Sequence, residues 1–264
     1  MNQVGKRVTP SFGRALQFIG AAPHVDLAAA YLSLLVGKGA GTGWDHTENL
    51  PVADRLVGVQ LPTVIDYGAN VGNGTISLRE RMHSNSGTWI LIEPAPKCAD
   101  ACRKIPNVEV IEAAAGEAPG RLRLHLDEGR SGLASLHPRR DTFAAGCEFV
   151  EHEVPVIVID DLIEQRSLST VHILKMDIEG HELFALKGAQ RSLQNGTIRA
   201  LTFEFGAGNI NSRTFFRDFW DFLTPLGFRI ERITPGGRTI EIAQYDEQLE
   251  FFRGVSNYIA VAPG

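Results

Sequence analysis

Acidic and imidazole side chains follow one apolar run in the second half of the chain, and another acid lies in the next run. Asp177, Glu179 and His181 follow the first run, and Glu204 lies inside the second. Carboxylates and a neutral imidazole can take a proton from a reacting group, and hard divalent cations prefer carboxylate ligands. Because neighbouring parallel strands end at the same edge of a sheet, we expect these side chains to meet at one site.

Two kinds of chemistry fit this group, in which we predict Asp177, His181 and Glu204 as the catalytic residues. In the first, His181 or Asp177 acts as a general base. In the second, Asp177 and Glu204, together with Asn209 or His181, hold a divalent cation such as Mg²⁺ that acidifies a hydroxyl. The sequence favours the base only slightly, so both interpretations stay open.

The same residues also have structural interpretations. Asp177 and Glu179 could cap a helix that begins near His181, since negative charge is stabilised at a helix N-terminus. Lys175 could simply form an ion pair with one of these acids. A single histidine is more often structural than catalytic, so His181 is a candidate only because of its neighbours.

A glycine-containing turn follows an earlier apolar run and predicts a ligand site. Gly68 and Gly72 would let the backbone approach a ligand closely, and the helix that follows would offer it unpaired N–H groups. Asn70 stands where a dinucleotide-binding loop needs glycine, so a pyrophosphate would be crowded there. Glu93, 25 positions after Gly68, can accept hydrogen bonds from ribose hydroxyls. Together these residues predict a cofactor that contains a nucleoside.

The elements that would position these residues alternate between strands and helices from about residue 61. Stretches with helical spacing separate several of the strand-like runs. This alternation predicts an α/β fold, with a mostly parallel sheet covered by helices on both faces. The predicted core strands lie at 63–66, 88–93, 108–111, 171–177 and 200–205.

Two further pairs of strand-like runs interrupt this alternation. Residues 121–126 alternate between polar and apolar side chains and residues 154–159 are apolar, so we place both in an inserted edge hairpin or extra strand pair between the third and fourth core strands. No crossover helix is predicted between 228–233 and 258–261, which indicates an antiparallel C-terminal edge strand.

The first 60 residues differ from the rest, and we predict that they form a helical cap or lid on a main domain at 61–264. The apolar residues with helical spacing in this part are Phe12, Ala15, Leu16, Ile19, Leu27, Tyr31, Leu34 and Leu35.

Later in the chain, a helix rich in aromatic residues is predicted. Its default interpretation is that it packs into the core, and the alternatives are that it lines an acceptor pocket or a homodimer interface. Its aromatic residues are Phe215, Phe216, Phe219, Trp220 and Phe222.

Composition excludes several classes of protein. The net charge is −5 and no basic stripe is present, which argues against a dedicated nucleic-acid binder. Three cysteines give no disulfide framework, and Cys98 and Cys102 are expected to be free, partly buried thiols. Neither a signal peptide nor an apolar stretch long enough to cross a membrane is evident. We therefore expect a cytoplasmic protein without a membrane partner.

Two segments resemble the signatures of FkbM-type methyltransferases. Residues 64–75, Val-Ile-Asp-Tyr-Gly-Ala-Asn-Val-Gly-Asn-Gly-Thr, are similar to the first motif of that family. Residues 174–182, Leu-Lys-Met-Asp-Ile-Glu-Gly-His-Glu, are similar to the second and are the more specific of the two. The steps at 92–94 and 160–162 also fit, and the resemblance covers about 62–205.

This resemblance implies a Rossmann-like class I methyltransferase fold with a seven-stranded sheet. It implies S-adenosylmethionine as the methyl donor, S-adenosylhomocysteine as the product, and a small-molecule hydroxyl as the acceptor, such as that of a sugar, glycoside or secondary metabolite. By position, the cofactor-binding residues would be Asp66, Gly68, Asn70, Gly72, Glu93 and Ala114. Many methyltransferases have an acid near the last of these positions; this chain has none there, so an adenine contact would be apolar.

Two alternatives from other classes stay open. One is a nicotinamide-dependent oxidoreductase on a similar sheet, although Asn70 and the missing third glycine argue against it. The other is a non-catalytic binding protein that retains the fold. A homodimer is possible with any of these functions.

Overall fold

The structure is a computed structural model that describes residues 22–41, 46–127, 129, 131–140 and 144–264, in which helices alternate with most of the strands of the central sheet. The helices are α1 (Ala22–Leu35), α2 (Asn49–Arg55), α3 (Asn73–Met82), α4 (Pro96–Cys102), α5 (Ile159–Gln165), α6 (Glu182–Lys187), α7 (Gln190–Gln194), α8 (Ala207–Ser212) and α9 (Phe216–Leu223). The strands are β1 (Thr63–Tyr67), β2 (Thr88–Ile92), β3 (Glu109–Ile111), β4 (Ala114–Ala115), β5 (Gly120–Leu126), β6 (Val150–Ile157), β7 (Ile173–Met176), β8 (Ala200–Gly206), β9 (Arg229–Ile233), β10 (Thr239–Glu241) and β11 (Val255–Val261).

The central sheet has the strand order β10-β9-β11-β8-β7-β1-β2-β3. From β8 to β3 neighbouring strands are parallel. In contrast, β11 is antiparallel to β8 and β9, and β10 is antiparallel to β9. The predicted Rossmann-like class I methyltransferase fold is confirmed. The sheet has eight strands rather than seven because β10 forms a short additional hairpin with β9.

The parallel strands are buried on both faces, which explains their continuous apolar runs. On one face Ile65 and Leu174 belong to a core cluster that includes residues of α5, α6 and α9. On the other face Val64 and Leu91 pack with residues of α2 and α3. Alternate side chains of each strand therefore hold the two helical layers on the sheet.

The winding of the chain changes direction at β1, which lies between β2 and β7. The strands β2 and β3 extend the sheet to one side of β1, and β7 and β8 extend it to the other. In such sheets a crevice opens beyond the carboxyl ends of the strands where the direction changes. This crevice is where the predicted site residues should meet.

The inserted strands form a second sheet of their own. β5 and β6 pair antiparallel, and β4 pairs parallel with β6. The predicted strand pair is confirmed, but it does not extend the edge of the main sheet. Leu124, Val154 and Val156 pack with Ala95 and Cys98, so the insert lies beside the carboxyl end of β2.

The C-terminal part of the sheet is antiparallel, as predicted. The edge strand is β10, while the last strand of the chain, β11, lies between β8 and β9. The burial of these strands explains this order. Tyr258, Ile259 and Ala260 of β11 are inaccessible to solvent, whereas Ile240 of β10 is 37% exposed.

The aromatic-rich helix α9 packs into the core, so its default interpretation is confirmed. The ring of Phe219 stacks on Phe203 with centroids 4.7 Å apart, and Phe216 contacts Tyr258 at 4.8 Å. Phe216 and Phe219 are fully buried, while Phe215, which precedes the helix, is 53% exposed.

The N-terminal part is helical at α1, as the spacing of Leu27 to Leu35 predicts, and these apolar side chains are largely exposed. The chain then crosses the C-terminal strands, where Arg232 Nε donates to the carbonyl oxygen of Val36 and the N–H of Gly41 donates to that of Val255. The predicted helix at residues 12–19 lies outside the described residues. The cap role and the boundary at 60/61 stay predictions. No helix in the described ranges is long and apolar enough to cross a membrane.

Candidate active site

A cleft of about 320 Å³ lies at the carboxyl ends of β1, β2, β7 and β8. Its volume is in the range of small-molecule sites. The predicted site residues that line it are Gly68, Asn70, Glu93, Ala114, Asp177 and Glu204. The predicted site residues that lie outside its lining are Asp66, Gly72, His181 and Asn209.

The turn after β1 touches the loop after β7. Gly68 has a φ of +75°, and its N–H donates to the carbonyl oxygen of Ile92 at 2.9 Å. A Cβ atom at position 68 would collide with the carbonyl oxygen of Asp177. Glycine is therefore required here both by its φ and by the close approach of the two loops. The contact holds the end of β1 against the acids that follow β7.

Glu93 joins the loop after β2 to the turn after β1. Its Oε2 accepts the N–H of Asn70 and its Oε1 accepts the N–H of Ala95, both at 2.8 Å. Each carboxylate oxygen has a further lone pair, and Glu93 lines the cleft. Burial raises the pKa of Glu93 to about 7, although the two backbone hydrogen bonds act in the opposite direction. The side chain can therefore accept hydrogen bonds from a ligand without leaving its backbone partners.

Two thiols hold Asn70 from the other side. Cys98 Sγ donates to Asn70 Oδ1 at 3.2 Å, and Cys102 Sγ donates to the Asn70 carbonyl oxygen at 3.0 Å. Both cysteines are free, as the sequence predicts, but they are fully rather than partly buried. Burial raises the pKa of Cys102 to about 12. Asn70 itself has a φ of +49°, in the left-handed region that asparagine tolerates.

Asp66 lies beneath the turn and does not face the cleft. Its carboxylate accepts Thr75 Oγ1 at 2.7 Å and Lys175 Nζ at 3.1 Å. Gly72 precedes α3 with a φ of +85°, and a Cβ atom there would collide with Ile105. Both residues therefore support the conformation of the turn from the side that does not face the cleft.

The end of the cleft beside the inserted sheet is apolar. Ala114 is 4% exposed, and Leu124, Ala134 and Leu136 line the same region. Such a surface suits an uncharged flat ring, because polar groups buried there would lack partners. The predicted apolar contact at Ala114 is therefore compatible with this geometry.

Acidic side chains crowd the opposite end of the cleft, where Asp177, Glu179 and Glu204 all reach the lining. Burial raises the pKa of Glu204 well above its ordinary value, and the charges of Asp177, Glu179 and Glu182 raise it further. Within the described part of the chain Glu204 has no hydrogen bond or ion pair. Its carboxyl group is therefore available to a bound molecule.

Lys175 is the single Lys or Arg side chain in the described lining of the cleft. Its Nζ lies 3.1 Å from Asp66 Oδ1 and 3.6 Å from Asp177 Oδ2. Burial alone would lower the pKa of Lys175, but Asp66 and Asp177 raise it above its ordinary value. The lysine therefore stays charged and partly balances the acids.

His181 is turned away from the cleft, which disfavours it as the general base. Its Nδ1 lies 3.0 Å from His137 Nε2, and its ring stacks on Phe184 with centroids 4.7 Å apart. Burial, together with the nearby His137, lowers the pKa of His181 to about 3. A general base must reach the proton that it removes, and this ring packs behind the cleft wall.

Asn209 does not join the acids as a metal ligand. Its Oδ1 accepts the N–H of Gly206 at 2.8 Å, and its Nδ2 donates to Thr214 Oγ1 at 2.9 Å. Over the described ranges, no three or more His, Cys, Asp and Glu side chains are grouped so that they could hold a metal ion. The predicted ligand set therefore does not assemble around Asn209 or His181.

The acids do not cap α6 as their positions suggested. Glu182, the first residue of this helix, turns back instead, and its Oε1 accepts the N–H groups of Ile178 at 3.0 Å and Gly180 at 3.3 Å. Asp177 pairs with Lys175, and Glu179 pairs with Arg139. The capping prediction was therefore wrong for Asp177 and Glu179.

Two residues near the acids were missed at the level of sequence. Arg139, with a side chain only 2% exposed, donates from Nη1 to Glu179 Oε2. Asn257 of β11 stands directly opposite Glu204 of β8. Neither has a spacing that marks it, because both positions depend on tertiary contacts between distant segments.

A family model for the methyltransferase FkbM domain matches residues 66–230, which is more than half of the chain. This chain belongs to the FkbM methyltransferase family. The match contains the turn after β1, Glu93 and the loop after β7, so the candidate site of this FkbM protein lies inside the family domain. Membership of a methyltransferase family argues against the nicotinamide alternative.

Two solved structures are distant likenesses of this FkbM protein. Methyltransferase FkbM from Methylobacillus flagellatus KT is 19% identical with a TM-score of 0.49, and the match covers 76% of this chain and 43% of that chain. The O-methyltransferase from Bacillus cereus in complex with SAH is 13% identical with a TM-score of 0.42, and covers 91% of this chain and 90% of that chain. The chain thus spans less than half the length of the first structure. A comparison with curated proteins finds no match.

Proposed function

We propose that this FkbM protein is an S-adenosylmethionine-dependent O-methyltransferase. Its acceptor would be a hydroxyl group of a small molecule, such as a sugar, a glycoside or a secondary metabolite. The observation that carries the proposal is the Glu93 carboxylate, which two backbone N–H groups hold at the surface of the cleft. An acid at the end of the second strand of such a sheet is positioned to accept both ribose hydroxyls of a nucleoside.

The lining of the cleft fits the three parts of the donor. Glu93 would bind the ribose, the apolar wall at Ala114 would contact the adenine, and the turn at Gly68 and Asn70 would receive the methionine part. When bound, the donor supplies a methyl group activated by a positively charged sulfur. The acids at the far end of the cleft favour that charge. Much of the remaining catalytic task is to align the acceptor.

The acceptor hydroxyl must lose its proton during attack, and we assign this proton to a carboxylate oxygen of Glu204. Three features support Glu204: it lines the cleft, it has no partner in the described part of the chain, and its pKa is raised. A raised pKa makes a carboxylate a better base at neutral pH. Asp177 lies beside it, with a side chain 41% exposed, and would help to orient the acceptor.

A divalent cation bound by Asp177 and Glu204 is the alternative way to activate the hydroxyl. The two mechanisms differ in their response to a chelator. With the base mechanism, methyl transfer should persist in EDTA. If EDTA abolishes transfer and added Mg²⁺ restores it, the cation is required.

The acceptor side of the site is a second cavity of about 220 Å³ next to the cleft. The two cavities share Gly41 and Glu48, and the second is also lined by Thr47, Thr234 and Asn257. Its described lining contains Glu48 and no lysine or arginine, which argues against an anionic acceptor. Replacing Asn257 with leucine should raise the KM for the acceptor without changing the affinity for S-adenosylhomocysteine; an unchanged KM would remove this cavity from the acceptor path.

Calorimetry with the purified full chain tests the proposed donor. We expect S-adenosylhomocysteine to bind with one site per chain, and NADH to give no binding heat because Asn70 crowds a pyrophosphate. Absence of S-adenosylhomocysteine binding would reject the proposed function. Binding of NADH instead would restore the nicotinamide alternative.

A further inference from the structure

A segment that follows β5 reaches across to the loop after β7. We call residues 132–140 the insert connection. Ser135 Oγ donates to the carbonyl oxygen of Glu179 at 3.1 Å, and His137 Nε2 lies 3.0 Å from His181 Nδ1. Arg139 Nη1 donates to Glu179 Oε2. Three alternate side chains of the insert connection therefore contact the same loop.

The contact between Arg139 and Glu179 is buried. The Arg139 side chain is 2% exposed and the Glu179 side chain is 19% exposed. Exposed ion pairs contribute little to stability, but removing one partner of a buried pair is strongly destabilising because the other charge is left uncompensated. The pair is therefore costly to break once the insert connection has closed onto the loop.

The loop after β7 has a backbone shape that needs support. Glu179 has a φ of +55°, which is uncommon for a residue with a side chain. Gly180 follows with a φ of +97°, and its α-carbon packs so closely on the carbonyl of Gly208 that a Cβ atom would come within 2.6 Å of that oxygen. The side chain that holds Glu179 thus helps to maintain the conformation of the loop that carries Asp177.

The insert connection also forms part of the cleft. Gly132, Ala134, Ser135 and Leu136 line it, on the side that faces the turn after β1. A Cβ atom added at position 132 would lie 3.7 Å from Asn70 Nδ2. One side of the insert connection therefore faces the donor space, and the other side is fastened to the acidic loop.

We propose that Arg139 is a positioning residue, which pairs with Glu179 to fasten the insert connection onto the loop after β7 and so completes the wall of the cofactor cleft. The proposal rests on the proposed function, in which this cleft holds the methyl donor. It assigns no chemical step to Arg139. The pair links the inserted sheet to the main sheet at the point where the cofactor lies between them.

The test compares five variants of the full chain. They are Arg139→Met, Arg139→Lys, Glu179→Gln, the double variant Arg139→Met with Glu179→Gln and, as a matched control, Arg140→Met. The Arg140 side chain is exposed, and the contact made by this residue runs from its backbone N–H to Asn211 Oδ1, which methionine retains. Calorimetry gives the affinity for S-adenosylhomocysteine, and hydrogen exchange read by mass spectrometry gives the protection of residues 132–140 with and without it.

For Arg139→Met we expect about tenfold weaker binding, the effect of losing one charged hydrogen bond. Hydrogen exchange in the insert connection should become faster, and the peptides of β1, β7 and β8 should stay protected. Arg139→Lys should recover part of the affinity, because lysine keeps the charge but not the planar geometry of arginine. Adding Glu179→Gln to Arg139→Met should cost little more, since both substitutions remove the same interaction. Arg140→Met should behave as the wild type.

Wild-type affinity and wild-type exchange in Arg139→Met would overturn the proposal. If that variant does not fold, Glu179→Gln alone decides, because it keeps the size of the side chain and removes its charge. If the wild type itself does not bind S-adenosylhomocysteine, the proposed function fails. The exchange of the ligand-free insert connection, compared between Arg139→Met and Arg140→Met, still decides whether Arg139 fastens it.

Discussion

At the scale of single residues, Glu93 combines a structural role with a proposed ligand contact. Its two oxygens accept the N–H groups of Asn70 and Ala95, and the residue also lines the cleft. Replacing Glu93 with alanine would leave both N–H groups without an acceptor and would also remove the proposed ribose contact. We expect the dissociation constant for S-adenosylhomocysteine, measured by calorimetry, to rise by about a hundredfold.

The conservative change Glu93→Gln provides the control for that experiment. Glutamine keeps one oxygen acceptor, so its affinity should fall between those of the wild type and Glu93→Ala. Equal affinity in all three proteins would contradict the proposed ribose contact. Circular dichroism of each variant shows whether a loss of affinity reflects a loss of fold.

The proposed base gives a second prediction at this scale. Glu204→Gln keeps the shape of the side chain but cannot take a proton. We expect kcat to fall by about 10²–10⁴-fold, the usual contribution of a positioned base, while the affinity for S-adenosylhomocysteine stays unchanged. The rate of methyl transfer is measured as the release of S-adenosylhomocysteine, with an acceptor that has been found by screening. The non-catalytic alternative predicts instead that Asp177→Ala and Glu204→Ala leave the function in cells unchanged.

The pH dependence of catalysis tests the electrostatics of the same pair. A base works when deprotonated, so activity should fall as the pH falls through the pKa of Glu204. The charge of Asp177 raises that pKa. Asp177→Asn removes the charge and should therefore move the acidic limb of the kcat profile to lower pH, by about one unit. A shift to higher pH would show that Glu204 is not the group that titrates.

At the scale of elements, the contact between His137 and His181 joins the insert connection to the start of α6. Burial lowers the pKa of His181 from 6.5 to about 3. At a pH between these two pKa values, His181 binds a proton in the unfolded chain but not in the folded chain. The free energy of unfolding should therefore decrease as the pH falls below 6.5.

The variant His181→Phe isolates this contribution, since phenylalanine can still stack on Phe184. As the pH falls below 6.5, the free energy of unfolding of the variant should increase relative to that of the wild type. The increase should be at most about 1.4 kcal/mol for each pH unit. Urea denaturation at pH 7, 6 and 5 measures the difference. A difference between the two proteins that is constant with pH would mean that His181 does not stay neutral in the folded state.

Strand geometry explains which site residues could be predicted from sequence. The turn, Glu93 and Asp177 follow strand ends, and the carboxyl edge of a parallel sheet gathers such positions. The direction of a side chain is harder to predict. Tyr67 lines the cleft while its neighbour Asp66 points to Lys175, because successive residues of a strand face opposite sides of the sheet. The motif identified the right segment but not the face of Asp66.

Residues outside the motifs could not be found from sequence. Arg139 is 40 positions from Glu179 and lies in a connection without periodicity, so no local pattern links them. The position of Asn257 opposite Glu204 depends on β11 entering between β8 and β9, and that order is a property of the whole sheet. The homodimer and the cap role of residues 1–60 stay predictions.

At the scale of the whole molecule, the proposed donor site lies between two sheets. The main sheet supplies Glu93, Asp177 and Glu204, and the inserted sheet with its connection supplies Leu124 and Leu136. A ligand that binds only the folded chain stabilises it by mass action. At a concentration of 100 times its dissociation constant, S-adenosylhomocysteine should raise the free energy of unfolding by about 2.7 kcal/mol. Thermal melts with NADH as the control ligand check this, and equal melting temperatures with both ligands would contradict it.

The touching backbones at Gly68 and Asp177 have a consequence for how members of this family can be recombined. No side chain separates the two loops, so a change in the length or path of one must be matched by the other. A chimera that takes the first loop from one homologue and the second from another would bring together two backbones whose shapes are not complementary. Loop grafting should therefore transfer 64–72 and 174–182 as one unit, although these segments are far apart in the gene.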